Sequence, residues 1–181
     1  MTTEVIYESL DLAHNYFDMK MYNKAEKVYK KLLRMGVRDK QIYYNLGQIN
    51  SWNCFTDCAI KYYILASDYG YTDAFVDLIK IYYSKSDYDN MNYYSDLTIK
   101  SKDIYAIRKL VIFNAFIKND DNVVQYLKYL VRLGDTKSMV LLGDFHRSKN
   151  DKINMEKNYL LAIENKEPAA MWYSLVMLNK A

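Results

Sequence analysis

The sequence predicts an all-α protein: a right-handed α-solenoid of about five antiparallel helix pairs followed by a lone final helix. Three observations carry this. Leu12, Leu46, Leu78, Leu110 and Leu142 occupy one slot, separated by 34, 32, 32 and 32 residues. A period in this range marks one helix-pair unit that cannot bury its apolar face alone, so copies stack. All five glycines fall at fixed places in that unit: Gly36, Gly70 and Gly134 end apolar runs, and Gly47 and Gly143 follow the repeated leucine. Within each run the apolar residues recur at three and four positions, the spacing of one helix face. The units run over about 4–36, 37–70, 71–102, 103–134 and 135–166, with an end helix over 167–181, as a single domain across 1–181.

Each unit has its own reasons. In the first, a helix through Leu12 and Ala13 pairs with one through Ala25, Tyr29 and Leu32. Gly36 closes it by taking the left-handed conformation that other residues resist. In the second, Ile42, Leu46, Gly47 and Ile49 face Ala59, Tyr63 and Ala66, and Gly70 closes. In the third and fourth, Ile79 and Val111 replace the small residue, so those pairs should splay or meet smaller neighbours. Ser95 and Thr98 stand where other units place large or alanine core residues, which makes the third pair the weakest. The fifth unit restores Gly143 opposite Tyr159 and Ala162. Thr72, Asp73, Asp103 and Asp135 stand at first-helix starts, and Asp87, Asp120 and Asp151 at second-helix starts. Side-chain oxygens there accept from unpaired backbone N–H groups. The one proline, Pro168, falls in the first turn of the end helix, where its missing N–H costs nothing.

At these residues the chain resembles the tetratricopeptide repeat. Leu46, Gly47, Ala59, Tyr63 and Ala66 match that family's small and large slots at its own spacing. The stretches from Ala59 to Gly70 and from Met155 to Leu175 are similar to its Sel-like branch. The resemblance covers nearly the whole chain, strongest in units two and five. Composition and spacing are also similar to repeat proteins encoded by large DNA viruses. The resemblance implies non-catalytic scaffolds that grip peptides or helices on a concave face. Some members hold a peptide C-terminus with a clamp of lysines, asparagines and an arginine. Here Asn45 falls at one matching place, but Tyr44, Gln48 and Gln41 stand near it, so that mode is not expected.

Helical geometry then selects an inward stripe on the first helices. It carries Tyr7, His14 and Phe17; Tyr44, Gln48 and Trp52; Val76, Lys80 and Tyr83; Arg108, Ile112 and Phe116; Val140, Asp144 and Arg147. Aromatic rings and arginine dominate interfaces, so this stripe is the expected site for a protein or peptide partner. Tyr44→Ala is accordingly expected to cost far less stability than Tyr63→Ala. An alternative is self-association through the end helix, where Trp172 and Val176 lie on an apolar surface. A further alternative is single-stranded RNA, but Lys80, Arg108 and Arg147 make a thin basic groove.

Bulk properties narrow the class. The charges sum to +3 over 181 residues, with lysines and carboxylates interleaved, so a nucleic-acid footprint is not expected. Residues 1–10 carry two glutamates and no basic cluster, so no secretion signal is expected. The longest apolar run, Leu110 to Ile117, is too short to span a bilayer. Together with two cysteines, this points to a soluble protein of a reducing, intracellular compartment, the cytoplasm first. Cys54 and Cys58 are four apart but find no histidine nearby, so they read as buried thiols rather than metal ligands. His146 stands in a slot filled elsewhere by Tyr16, Asn50 and Tyr82, which reads as packing. No phosphate loop and no nucleophile–base pair is found, so neither an enzyme nor a cofactor is expected.

Overall fold

A computed structural model describes residues 3–170. Trp172, Val176 and most of the end helix lie outside the described residues. Among those described, every regular element is helical: α1 (Thr3–Asp18), α2 (Tyr22–Arg34), α3 (Lys40–Trp52), α4 (Thr56–Asp68), α5 (Asp73–Ser84), α6 (Tyr88–Lys100), α7 (Ile104–Phe116), α8 (Asp120–Arg132), α9 (Thr136–Ser148) and α10 (Lys152–Glu164). A further turn of helix begins at Pro168. The chain forms two compact units that part between Leu97 and Thr98, inside α6.

The turns repeat as faithfully as the helices. Lys20, Cys54, Ser86, Lys118 and Asn150, within pairs, all have positive φ. So do Gly36, Gly70, Lys102, Gly134 and Lys166, between pairs. Both series step by the 34, 32, 32, 32 of the leucines. The amide beyond such a residue returns to a carbonyl five back, as in Met21 to Tyr16 at 2.8 Å, Phe55 to Asn50 at 2.8 Å and Glu167 to Ala162 at 2.9 Å. This Schellman closure satisfies carbonyls that a helix end leaves unpaired. Within pairs the closing residue, such as Met21, Phe55, Asn119 or Asp151, is also the cap position of the next helix.

Those caps differ from expectation in part. Asp103 accepts from the Tyr105 and Ala106 amides at 2.9 and 3.2 Å. Asp39, which sequence reading passed over, does the same for Gln41 and Ile42 at 2.7 and 3.1 Å. Asn119 rather than Asp120 caps α8, through the Asn122 amide at 3.2 Å. Asp87 and Asp151 cap α6 and α10 through Asn90 and Asn154, whose side chains donate back to them at 2.8 and 2.7 Å. Thr72 and Asp135 make no side-chain cap. Asp135 is buried and instead accepts from the Ser138 hydroxyl at 2.5 Å. Each cap contributes about 1 kcal/mol.

The first unit's core joins Ala13, Ala25, Tyr29, Leu32, Ile42, Leu46 and Ile49. In the second, Ile107, Val111, Leu127, Leu130 and Leu142 form one cluster, and Met139, Val140, Tyr159 and Ala162 another. Gly47 and Gly143 set the closest approaches: a Cβ on them would lie 2.6 Å from the Tyr63 ring and 2.5 Å from the Tyr159 ring. Where Ile79 replaces glycine, α5 and α6 join through larger groups, with Tyr94 lying 6.2 Å from Phe75 and stacked 5.7 Å from Tyr82.

Two expectations are corrected. Leu12 is 45% exposed although Leu46, Leu78, Leu110 and Leu142 are buried. Leu46 packs against the preceding α2, and no helix precedes α1 among the described residues. Cys54 and Cys58 are both exposed, not buried. Cys54 occupies the left-handed turn position and Cys58 the first turn of α4.

Candidate functional site

The inward stripe is not uniform; its depth changes along each first helix. Its N-terminal row holds Tyr44, Val76 and Val140, all buried, with Arg108 mostly covered. Its middle row holds His14, Gln48 and Asp144, half-buried, with Lys80 and Ile112 exposed. Its C-terminal row holds Trp52, Tyr83, Phe116 and Arg147, all exposed, and Phe17, half-buried. Tyr7 is exposed on α1. The stripe therefore opens toward the C-terminal ends of the first helices.

The covered row braces one repeat to the next. Tyr44 is 9% exposed; its hydroxyl donates to Asp77 Oδ2 at 2.8 Å, and its ring stacks on Tyr71 at 4.3 Å. Burial first, then the Asp77 carboxylate, pushes the Tyr44 phenol far above its usual pKa, so it remains a donor. Gln48 reaches the same hydroxyl at 3.4 Å. In the second unit Arg108 is held by an ion pair rather than a hydrogen bond: its Nε lies 3.3 Å from Asp135 Oδ2, and its guanidinium lies 5.0 Å from the Tyr105 ring centre. Asp77 was not singled out by sequence, and Asp135 was read only as a helix start; each lies in the repeat after its partner, where a single-helix pattern does not look. Asn45 is likewise internal, donating to Tyr29 at 2.7 Å and accepting from Gln41 at 2.8 Å. Burial pushes the Tyr29 phenol up to about 12, with the Asn45 bond partly offsetting it.

The cations on the stripe are paired. Lys80 lies 2.9 Å from Asp77, and Arg147 lies 3.0 Å from Asp144. With Arg108 held by Asp135, each candidate base has a carboxylate beside it.

The open row differs between units. In the first, Trp52 stacks on Phe17 at 5.8 Å and meets Tyr22 at 4.5 Å, while Tyr83 stands edge-on to Tyr88 at 6.4 Å. In the second, α7 is apolar on both sides. Ile107, Leu110 and Val111 are buried, whereas Ile112 is 68% and Phe116 81% exposed. Tyr105 is exposed on the same helix. It was missed as a site residue, although it precedes Ile112 by seven positions and so shares its side.

Other chemistry is sparse. His14 lies 5.8 Å from the Tyr29 ring, and its Nε2 is buried without a hydrogen-bond partner. His146 packs edge-on to Phe145 at 5.9 Å, with Nδ1 3.1 Å from the Asp151 carboxylate. Among the described residues no group of three or more His, Cys, Asp or Glu side chains could hold a metal ion, and no helix is long and apolar enough to cross a membrane.

No protein-family model matches the sequence, and no curated protein matches it. Solved structures do. BtubC from P. vanneervenii is 14% identical, over 93% of this chain and 81% of that one, at a TM-score of 0.62. PilF of Pseudomonas aeruginosa is 14% identical, over 90% and 77%, at 0.62. YrrB, described as a TPR protein with an unusual peptide-binding site, is 15% identical, over 95% and 96%, at 0.53. At such identities the likeness speaks for the fold, and by fold the chain is a tetratricopeptide-like helical-repeat protein.

Proposed function

We propose that the chain is a non-enzymatic interaction scaffold that holds a protein segment, extended or helical, against the open row of its first helices. One observation carries the reading: α7 buries one apolar side and leaves Tyr105, Ile112 and Phe116 exposed on another. A helix apolar all round is ordinarily covered all round. Exposed rings and branched chains flanked by polar residues are what a partner's apolar anchors seek. In the first unit, taken by itself, Trp52 and Tyr83 are exposed at the C-terminal ends of α3 and α5. The peptide-binding site in the description of YrrB is in keeping with this use of the fold.

RNA is disfavoured by the pairing of Lys80, Arg108 and Arg147 with Asp77, Asp135 and Asp144. Bases neutralised in place release few counterions on binding a phosphate backbone.

The test compares proteins captured from cells by the immobilised chain and by an Ile112→Asp/Phe116→Asp variant. Circular dichroism and thermal midpoint should match in the two, because both side chains are exposed. Loss of a captured protein at unchanged fold supports the reading. An identical capture profile removes α7 as the binding face.

A further inference from the structure

The second helices break a rule of their own fold at one edge. In the third, fourth and fifth repeats the residue entering the second helix is Asp87, Asn119 or Asp151, and each accepts a hydrogen bond from a first-turn amide. In the first and second repeats the same position holds Met21 and Phe55, which make no side-chain cap. Neither is repaid by burial: Met21 is 39% and Phe55 61% exposed. A helix start without its cap, filled by an exposed apolar residue, is a local rule broken without a gain in the fold, and such positions tend to be functional.

The neighbours enlarge the patch. Tyr22 follows Met21 and packs 4.5 Å from Trp52, and Phe17 closes the ring group at 5.6 Å from Tyr22. Met19 is exposed beside them. Two methionines among rings give a surface that adapts to apolar side chains of varied shape. The rim is basic on the α2 side. Lys20 stands between the two methionines in the left-handed turn, and Lys24 lies 5.4 Å from the Tyr16 ring centre. Neighbouring carboxylates are largely occupied: Glu26 pairs with Lys30 at 2.7 Å and Asp57 with Lys85 at 3.3 Å, leaving Asp18.

We infer that this turn edge, built on Met21, Phe55 and Trp52, is a docking surface for a protein segment that presents bulky apolar side chains flanked by carboxylates. The apolar groups cover the uncapped starts of α2 and α4, and the carboxylates meet Lys20 and Lys24. Apart from Trp52 and Phe17, it uses other residues than the open row of first helices, and it stands whether or not α7 binds anything.

A Met21→Asp/Phe55→Asp variant tests it, because the change removes the anchors while supplying the missing caps. With two caps at about 1 kcal/mol each, its thermal midpoint should rise by roughly 4–8 °C. The probes are fluorescein-labelled peptide pools with two large apolar residues flanked by Asp and Glu. Matched pools carry Lys for the acids or Ser for the apolar residues. Anisotropy should report binding of the acidic–apolar pool alone, weakened about tenfold or more in the variant. It should not change in Ile112→Asp/Phe116→Asp, which separates this surface from the α7 face. Equal binding of all pools, no binding, an unaffected double variant, or preference for phosphatidylglycerol vesicles over the peptides would each overturn the inference.

Discussion

Gly47 and Tyr63 act as one packing decision, repeated by Gly143 and Tyr159. The absent Cβ lets a tyrosine ring lie across the first helix, and the ring fills what the glycine leaves. Tyr63 is buried, so the ring has no room to retreat. Gly47→Ala would gain about 1 kcal/mol of helix propensity in an exposed helix. Here it should instead lower stability by roughly 1–3 kcal/mol, the cost of overpacking. Chemical denaturation checks this, and pairing it with Tyr63→Leu should recover much of the loss. This pairing was legible in the sequence, because both residues lie in one unit at a fixed spacing. The depth of Tyr44 was not. Periodicity put it on the correct side of α3 but could not see Asp77 and Tyr71, one unit on. Tyr44→Ala should therefore cost about 3 kcal/mol, near the loss for Tyr63→Ala rather than far below it. A shift in denaturation midpoint under a third of the Tyr63→Ala shift would return Tyr44 to the surface.

Helix ends carry the second level of specification. Three of the ten left-handed turn positions are glycine, and these were the ones visible in sequence. The other seven are Lys, Cys, Ser or Asn, where the amino-acid type gives little warning; only the period reveals them. A non-glycine residue at positive φ pays a steric penalty that glycine does not. Lys118→Gly should thus raise stability by about 0.5–1 kcal/mol, net of the flexibility that glycine adds to the unfolded chain. No gain in the denaturation midpoint would mean that the Lys118 side chain holds the turn in some other way. The caps on α6 and α10 make a related prediction with pH. Hydrogen bonds from Asn90 and Asn154 hold the Asp87 and Asp151 carboxyls below their ordinary pKa. A depressed folded pKa adds stability that is fully present above the unfolded value of about 4 and is lost as pH falls through the folded one. The acid limb of the stability curve should therefore be shallower in an Asp87→Asn/Asp151→Asn variant, with little change near neutral pH. An unchanged acid limb would show that these caps do not titrate with folding.

At the scale of the chain, a stack of helix pairs distributes stability by what each pair contributes and what its neighbours cover. The period, the pair boundaries and the closing glycines made that architecture legible from sequence. The burial gradient along the stripe was less so, since it depends on contacts between pairs. The distribution itself is uneven, and α6 shows why. The buried positions there include Tyr94, Ser95 and Thr98, two of them small and polar, and Ser95 returns its hydroxyl to the Met91 carbonyl at 2.9 Å. In α3 the buried set includes Ile42, Tyr43, Tyr44, Leu46 and Ile49. The division between the two compact units also falls within α6, between Leu97 and Thr98. Segments with few buried apolar contacts open at lower free energy than the core around them. Native-state hydrogen exchange should accordingly find the amides of residues 92–98 exchanging about tenfold or more faster than those of residues 44–50, at equal intrinsic rates. Replacing Ser95 with leucine, the residue that Leu127 supplies at the same slot of the next repeat, should narrow the gap if the cause is lost apolar packing. If protection in α6 already equals that in α3, buried polar residues are not what sets the order of opening, and the Tyr82–Tyr94 stack carries more of the third pair than its neighbours suggest.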